Sequence, residues 1–361
     1  MNPKRNIAIF IRSLETGGAE KYSLRLAKAL TETHHVHLIV VGKRIQTIDP
    51  NYLSFIQQEG FSVTQLSGNL FQKFLACRRI LIQEEIEITF SHLPSDTLFS
   101  FLAGLWSGVR YQFGGIQNSR FPFLKRAILK LIHNYFLEAS ISNSQAGKDY
   151  LAQYGFKADT ICVIPNCIDI RSPQIVRSPS SKVQILTVAR FVDQKDYETA
   201  LQAISLVRKF LPEDILLQYH IVGYGILETQ IRAWVHAYDL EEMVRITVRP
   251  PNLNQQFQEA DIYLCTSIFE GLSNSLMEAM HFSLPIVSTD VGDNALLIRE
   301  EENGFVLQTH QPEEIADKLL SLICNYEQRI EYGKSSYTHL EETYSYESFQ
   351  HTFLQLVGEL S

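Results

Sequence analysis

Runs of β-branched and aromatic residues alternate with stretches of helical apolar spacing through both halves of the chain. Asn6–Ile11 is an unbroken apolar run after Asn6 and predicts a buried strand; Gly17-Gly18 then predicts a turn. Ala19–Leu30 places Tyr22, Leu24, Leu26, Ala27 and Leu30 at helical spacing. His37–Val41 and Ile86–Phe90 predict further strands. Arg171–Lys182 holds two prolines and four serines and breaks this rhythm, so it predicts a linker. The alternation then resumes. Strands are expected over 183–189, 216–222, 244–248, 261–265 and 285–288, and helices over 198–209, 227–238 and 275–281. Tyr344–Leu360 predicts a final aromatic-rich helix.

Repeated strand–helix–strand units predict parallel sheets covered by helices. The expected fold class is α/β: two Rossmann-like parallel-sheet domains facing a central interdomain cleft, with ligands beyond the carboxyl ends of the strands. The expected bounds are 1–170 for an N-terminal domain, 171–182 for the linker and 183–340 for a C-terminal domain. The helix 341–361 is expected to pack back toward the N-terminal domain.

Length and composition agree with two globular domains: 361 residues, 45% hydrophobic and 20% charged. The net charge of -8 is unevenly spread. Residues 1–170 carry 18 Lys and Arg against 13 Asp and Glu; residues 171–361 carry 14 against 27. Only the first half is therefore suited to an anionic surface. No dense basic stripe interleaved with aromatics argues for nucleic acid. Five scattered cysteines without a Cys-x-x-Cys pair read as reduced thiols. The apolar run after Lys4 and Arg5 stops at Arg12, too short for a signal-peptide core. No run approaches the ~18 apolar residues of a membrane span. A cytoplasmic protein is the expectation.

Four segments carry candidate chemistry. The first runs from Ser267 through Glu270-Gly271 and Ser273-Asn274-Ser275 to Glu278. A strand ends just before it and a helix begins within it. Unpaired N–H groups at the helix start suit a phosphate, and the two carboxylates suit sugar hydroxyls on either side of it. A capped helix with solvated glutamates fits the same residues. In the second segment, Arg190 and Lys195 follow a strand and could clamp a diphosphate; ordinary surface charge explains them equally well alone. Gly17-Gly18-Ala19-Glu20 and Gly223-Tyr224-Gly225 are the third and fourth, glycine-rich strand ends where backbone can approach a ligand. Each is weak by itself.

In this order, over nearly the whole chain, the four segments resemble the retaining glycosyltransferases of family 4, which have the GT-B fold. Glu270 and Glu278 match that family's E-x7-E motif, and Arg190 with Lys195 matches its phosphate-binding pair. Pro165-Asn166-Cys167-Ile168-Asp169 looks like its interdomain segment, with Cys167 in place of the usual Gly. Asp293 and Leu296 depart from a segment that commonly has Gly-Gly and a following Glu, and 248–251 lacks a Gly often found near the nucleobase.

The resemblance implies a glycosyltransferase that moves a hexose or N-acetylhexosamine with retention, from a nucleotide-sugar expected to be a UDP-sugar. The acceptor would be a glycan or lipid-linked saccharide in bacterial surface-polysaccharide biosynthesis, such as capsule or lipopolysaccharide. Glu270 would contact the donor sugar and Glu278 the ribose. Gly17, Gly18, Gly223, Arg249, Ser273, Asn274 and Ser275 complete the implied donor site. No Asp-x-Asp motif occurs, so Arg190, Lys195 and the helix start would stabilise the leaving diphosphate without a metal or other cofactor.

His92 follows the strand ending at Phe90 and is expected at the cleft edge, contacting donor sugar or acceptor; a structural histidine is the competing reading. Phe121–Ile132 combines aromatics, aliphatics and three cations at helical spacing, as does Phe71–Arg79 in part. These segments predict peripheral contact with the inner membrane, or alternatively buried amphipathic helices. A nucleotide-sugar epimerase on the same fold and a non-catalytic GT-B partner subunit are the alternative functions.

Overall fold

A computed structural model describes residues 4–15, 18–42, 49–116, 123–170, 174–308 and 310–360. The chain divides into two units, residues 1–166 with 347–361 and residues 167–346.

The first unit is built on seven parallel strands: β1 Asn6–Ile11, β2 His35–Val40, β3 Ser62–Gln65, β4 Ile88–Ser91, β5 Tyr111–Gly115, β6 Ala139–Ser142 and β7 Ile161–Val163. Their order across the sheet is β3-β2-β1-β4-β5-β6-β7. The central strand β1 is buried along its length after Asn6, as its continuous apolar run requires. Helices α1 Gly18–Thr31, α2 Pro50–Glu59, α3 Leu70–Gln83, α4 Pro94–Leu105, α5 Phe123–Tyr135 and α6 Gln145–Gln153 connect the strands.

The second unit has six parallel strands: β8 Lys182–Arg190, β9 Leu216–Tyr224, β10 Val244–Val248, β11 Ile262–Cys265, β12 Ile286–Thr289 and β13 Gly304–Leu307. They lie in the order β10-β9-β8-β11-β12-β13. Helices α7 Tyr197–Phe210, α8 Glu228–Ala237, α9 Leu253–Glu259, α10 Asn274–His281, α11 Asn294–Leu297, α12 Pro312–Cys324 and α13 Tyr326–Tyr344 cover it. The chain order reverses beside β8, between β9 and β11. In doubly wound sheets that point opens a crevice at the carboxyl ends of the strands.

Residues 344–360 hold the expected final helix, set off from the helix before it by Ser345. The nineteen-residue α13 ends at Tyr344, and α14, Tyr346–Gly358, follows. From Glu347 onward the chain belongs to the first unit. There Phe349 and Phe353 pack edge-on against Tyr22 of α1, and Phe353 also meets Phe90 of β4. Gln350 donates to the carbonyl of Ala29.

The expected linker is partly strapped down. Arg177 donates to the carbonyls of Ala260, Ser283, Phe257 and Phe282, all in the second unit. The proline and serine content that breaks the helix–strand rhythm leaves the backbone extended, and Arg177 then holds it in place. Residues 171–173 lie outside the described residues.

Candidate functional site

Every candidate donor residue of the second unit lies at or after the carboxyl end of one of four neighbouring strands, β10-β9-β8-β11. Arg190 ends β8, opposite Tyr224 of β9. Its guanidinium is exposed and has no ion-pair partner among the described residues. Lys195 closes a short 3-10 turn, Asp193–Lys195, and Asp196 then starts α7 with a left-handed φ of 46°. The Asp196 carboxylate accepts from the Thr199 N–H, which caps α7 and offsets part of that strain.

Lys195 is directed at the loop after β11. Its ammonium donates to Glu270 Oε1, and the two side chains are 13% and 10% exposed. Ser267 Oγ donates to the same carboxylate oxygen at 2.7 Å. Backbone bonds lock the two loops together: Ile268 N donates to Gln194 O, and the Thr266 hydroxyl bonds to the carbonyls of Lys195 and Asp196. Gln194 Nε2 donates to Phe269 O at 2.7 Å.

The loop that carries Glu270 is also pinned from β12. Asp293 N donates to Gly271 O at 2.9 Å. Gly292 has φ +61°, and a Cβ there would stand 2.5 Å from the carbonyl oxygens of Glu270 and Gly271. Only glycine fits this contact.

Ser273 stands at the N-cap of α10 without a capping hydrogen bond from its side chain, and its Oγ lies 3.3 Å from Ser275 Oγ. Asn274 and Ser275 open the helix, and Glu278 follows one turn on, half-buried. Beneath them Tyr263 donates its hydroxyl to Val188 O at 3.1 Å, and burial holds that hydroxyl protonated far above the usual phenol range.

Gly223 pairs with Ala189 so closely that a Cβ would lie 1.9 Å from the Ala189 carbonyl oxygen. The Arg249 N–H donates to Gly223 O at 3.2 Å; the residue has φ 47° and its guanidinium lies 4.6 Å from the centre of the Tyr224 ring. Arg249 therefore sits on the same sheet edge as Arg190.

Two candidates belong to the first unit. Gly18 begins α1, while Gly17 lies outside the described residues. His92 differs from its expected position at an accessible edge. It is buried, stacked edge-on against Tyr22 at 4.8 Å, and neither ring nitrogen has a hydrogen-bond partner among the described residues. Burial lowers its pKa to about 3, so the ring is neutral at physiological pH.

Thr266, Gln194 and Gly292 were not among the expected site residues, and Ser267 entered only as the start of the first candidate segment. The polar pair Thr266-Ser267 directly after a buried strand was the available signal, since such a pair needs partners.

Among the described residues, no group of three or more His, Cys, Asp or Glu side chains could hold a metal ion.

A pair of parallel-sheet units, one carrying two glutamates and two cations around a loop-to-helix junction, defines the GT-B class. Residues 16–172 match Glycosyltransferase Family 4, and residues 170–339 match Glycosyl transferases group 1. The chain belongs to this family of glycosyltransferases. It is 27% identical over 189 residues to WcaL of Escherichia coli K12, named as a colanic acid biosynthesis glycosyltransferase; the match covers 50% of this chain and 45% of WcaL. The chain therefore spans under half the length of that relative. An uncharacterized glycosyltransferase of Haemophilus influenzae is 26% identical over 345 residues, covering 92% of this chain and 94% of its own. HepE of Anabaena, solved with UDP and separately with UDP-glucose, superposes with TM-scores of 0.83 and 0.82 at 17% identity, covering 99% and 98% of this chain and 100% of its own in both.

Proposed function

We propose that this chain transfers a hexose or N-acetylhexosamine from a UDP-sugar, with retention, to a glycan or lipid-linked saccharide in bacterial surface-polysaccharide assembly. The observation that carries this reading is the convergence of Lys195 and Glu270 beside the exposed Arg190, at the carboxyl edge of the second sheet. The family membership, the UDP-glucose complex of HepE and the naming of WcaL support it.

In this account the donor diphosphate lies between Arg190, Lys195 and the start of α10, whose backbone N–H groups point outward from the helix. Phosphate oxygens take Lys195 over from Glu270. The released Glu270 carboxylate then accepts hydrogen bonds from the donor sugar, and Glu278 accepts from the ribose. As the sugar–phosphate bond breaks, negative charge grows on the leaving diphosphate, and two fixed cations with a helix start stabilise it. This charge set needs no metal. The acceptor hydroxyl attacks on the leaving-group face and its proton passes to the departing phosphate oxygen.

In this reading the reaction runs at the cytoplasmic face of the inner membrane. The outward face of α5 supports this, with Phe123 and Leu124 78% and 71% exposed, and Ile128, Leu131 and Tyr135 exposed along the same helix. Lys125, Arg126 and Lys130 lie on the same helix, with Arg126 turned to the Tyr154 ring at 4.1 Å. The test is binding followed by transfer: UDP-sugars are titrated first, then the labelled sugar is followed into a membrane extract. Isomerisation of donor without transfer would instead identify an epimerase.

A further inference from the structure

Strand β8 parts early from one of its neighbours. It pairs with β9 as far as Arg190 and Tyr224, but with β11 only at Ile185–Ile262 and Leu186–Tyr263. Beyond Leu186 the two strands separate, beside the point where the sheet order reverses. The backbone groups that β8 turns toward this gap need partners other than a strand.

Two phenols supply them, each only 1% exposed. The Tyr263 hydroxyl donates to Val188 O at 3.1 Å and accepts from Val188 N at 3.3 Å, taking the place of a ladder neighbour. The Tyr197 hydroxyl lies 3.0 Å from Ala189 O and 3.4 Å from Arg190 O, a shared bond to the end of β8. Each phenol also belongs to a second part of the phosphate site. Tyr263 has a side-chain hydrogen bond with Ser275, at the opening of α10. Tyr197 is the first residue of α7, two residues after Lys195. Arg190, Lys195 and the start of α10 thus come from three stretches of chain, and these two hydroxyls link all three. Burial keeps both phenols protonated well above their ordinary range, so they act as fixed donors.

We propose that Tyr263 and Tyr197 are positioning residues for the donor diphosphate, setting the spacing between Arg190, Lys195 and the start of α10. The inference rests on the transfer reading above, since it presupposes a nucleoside diphosphate at that place. Phenylalanine fills nearly the same volume without the hydroxyl, so it removes the link and leaves the packing.

The experiment is calorimetric titration of the full chain with UDP and with UMP. The ratio of the two affinities reads how well the site matches a diphosphate, and a loss of stability alone does not move it. Tyr263→Phe is expected to bind UDP roughly tenfold more weakly, as the loss of about one hydrogen bond implies. Its UMP affinity is expected to change by less than about twofold. Tyr197→Phe cuts the link from the Lys195 side and is expected to narrow the ratio in the same direction, so the test survives if Tyr263→Phe does not fold. On an Arg190→Ala background either substitution is expected to lower UDP affinity by less than about twofold, because the spacing to Arg190 no longer matters. Tyr219→Phe is the control: it deletes another buried hydroxyl, bonded to Thr187 Oγ1 at 2.9 Å, and should leave the ratio unchanged. An unchanged ratio in both Tyr263→Phe and Tyr197→Phe, or undiminished losses on the Arg190→Ala background, overturns the proposal. Equal narrowing by Tyr219→Phe also overturns it, by showing a general loss of packing. Wild type that binds no UDP brings down the transfer reading and the positioning role with it; wild type that binds UDP no better than both phenylalanine variants brings down the positioning role alone.

Discussion

Lys195 and Glu270, seventy-five residues apart in sequence, share an ion pair that Ser267 braces from the side through the same carboxylate oxygen. Both side chains are nearly enclosed, so each depends on the other for charge compensation. Removing one member of such a pair leaves an uncompensated charge and costs about 3–5 kcal/mol. Lys195→Ala and Glu270→Ala are expected to approach the lower end of that range in urea denaturation of the second unit, because the pair keeps some contact with water. The double variant should lose less than the sum of the two, since neither charge is then stranded. Additive losses would show that the pair is not coupled.

Gly292 sets the path of the loop that carries Glu270. An alanine there meets two carbonyl oxygens at 2.5 Å and takes on a left-handed φ of +61°. The conformational term alone is roughly 1–2 kcal/mol, and the contact adds to it. Gly292→Ala should therefore destabilise the second unit by more than about 2 kcal/mol and weaken UDP-sugar binding, because the backbone at Glu270 must move. Thermal melts with and without UDP-glucose check both effects. A stable variant with normal binding would show that the loop position does not matter.

Acid should unfold the first unit through two buried neutral histidines. His92 and His133 both have their pKa pushed down to about 3 by burial, against an ordinary value of 6.5. Below pH 6.5 the unfolded chain takes up protons that the native fold refuses, so stability is present above that pH and falls as pH drops toward 3. Well inside this window each histidine contributes about 1.4 kcal/mol per pH unit. Replacing His92 with Phe should flatten the pH dependence of urea stability between pH 5.5 and 4 by about that amount. An unchanged slope would mean that the native His92 does take a proton.

Much of this architecture was legible in the residue pattern. β1 spans the predicted residues, and α7 extends the predicted helix by one residue at each end. Strong periodicity and buried central strands explain this, because a strand covered on both faces reads as a continuous apolar run. Strands β3, β5, β6, β7 and β13 went unread: each has five residues or fewer, too short for a clear period, and Ser62–Gln65 and Ala139–Ser142 are mixed in polarity. The Lys195–Glu270 contact was not readable from spacing, since it depends on which two strands become neighbours. The burial of His92 was not legible, because a residue after a strand end is ordinarily accessible, whereas here Tyr22 packs against it.

The exposed apolar face of α5 should bring the chain to anionic vesicles. Co-sedimentation is expected with phosphatidylglycerol vesicles and not with pure phosphatidylcholine, and replacing Lys125, Arg126 and Lys130 together should cut the bound fraction severalfold. Neutral vesicles binding equally well would remove the electrostatic part of the account.

The central claim is that the second unit binds a nucleotide-sugar through Arg190, Lys195, Glu270 and Glu278. Its most direct test is the melting shift of wild type and Glu278→Ala with UDP-, GDP- and ADP-glucose. At about a hundred times its dissociation constant, a ligand stabilises by roughly 2.7 kcal/mol. The account predicts such a shift with UDP-glucose for the wild type and its loss in Glu278→Ala. No shift with any of the three nucleotide-sugars, or one that Glu278→Ala leaves unchanged, would contradict it.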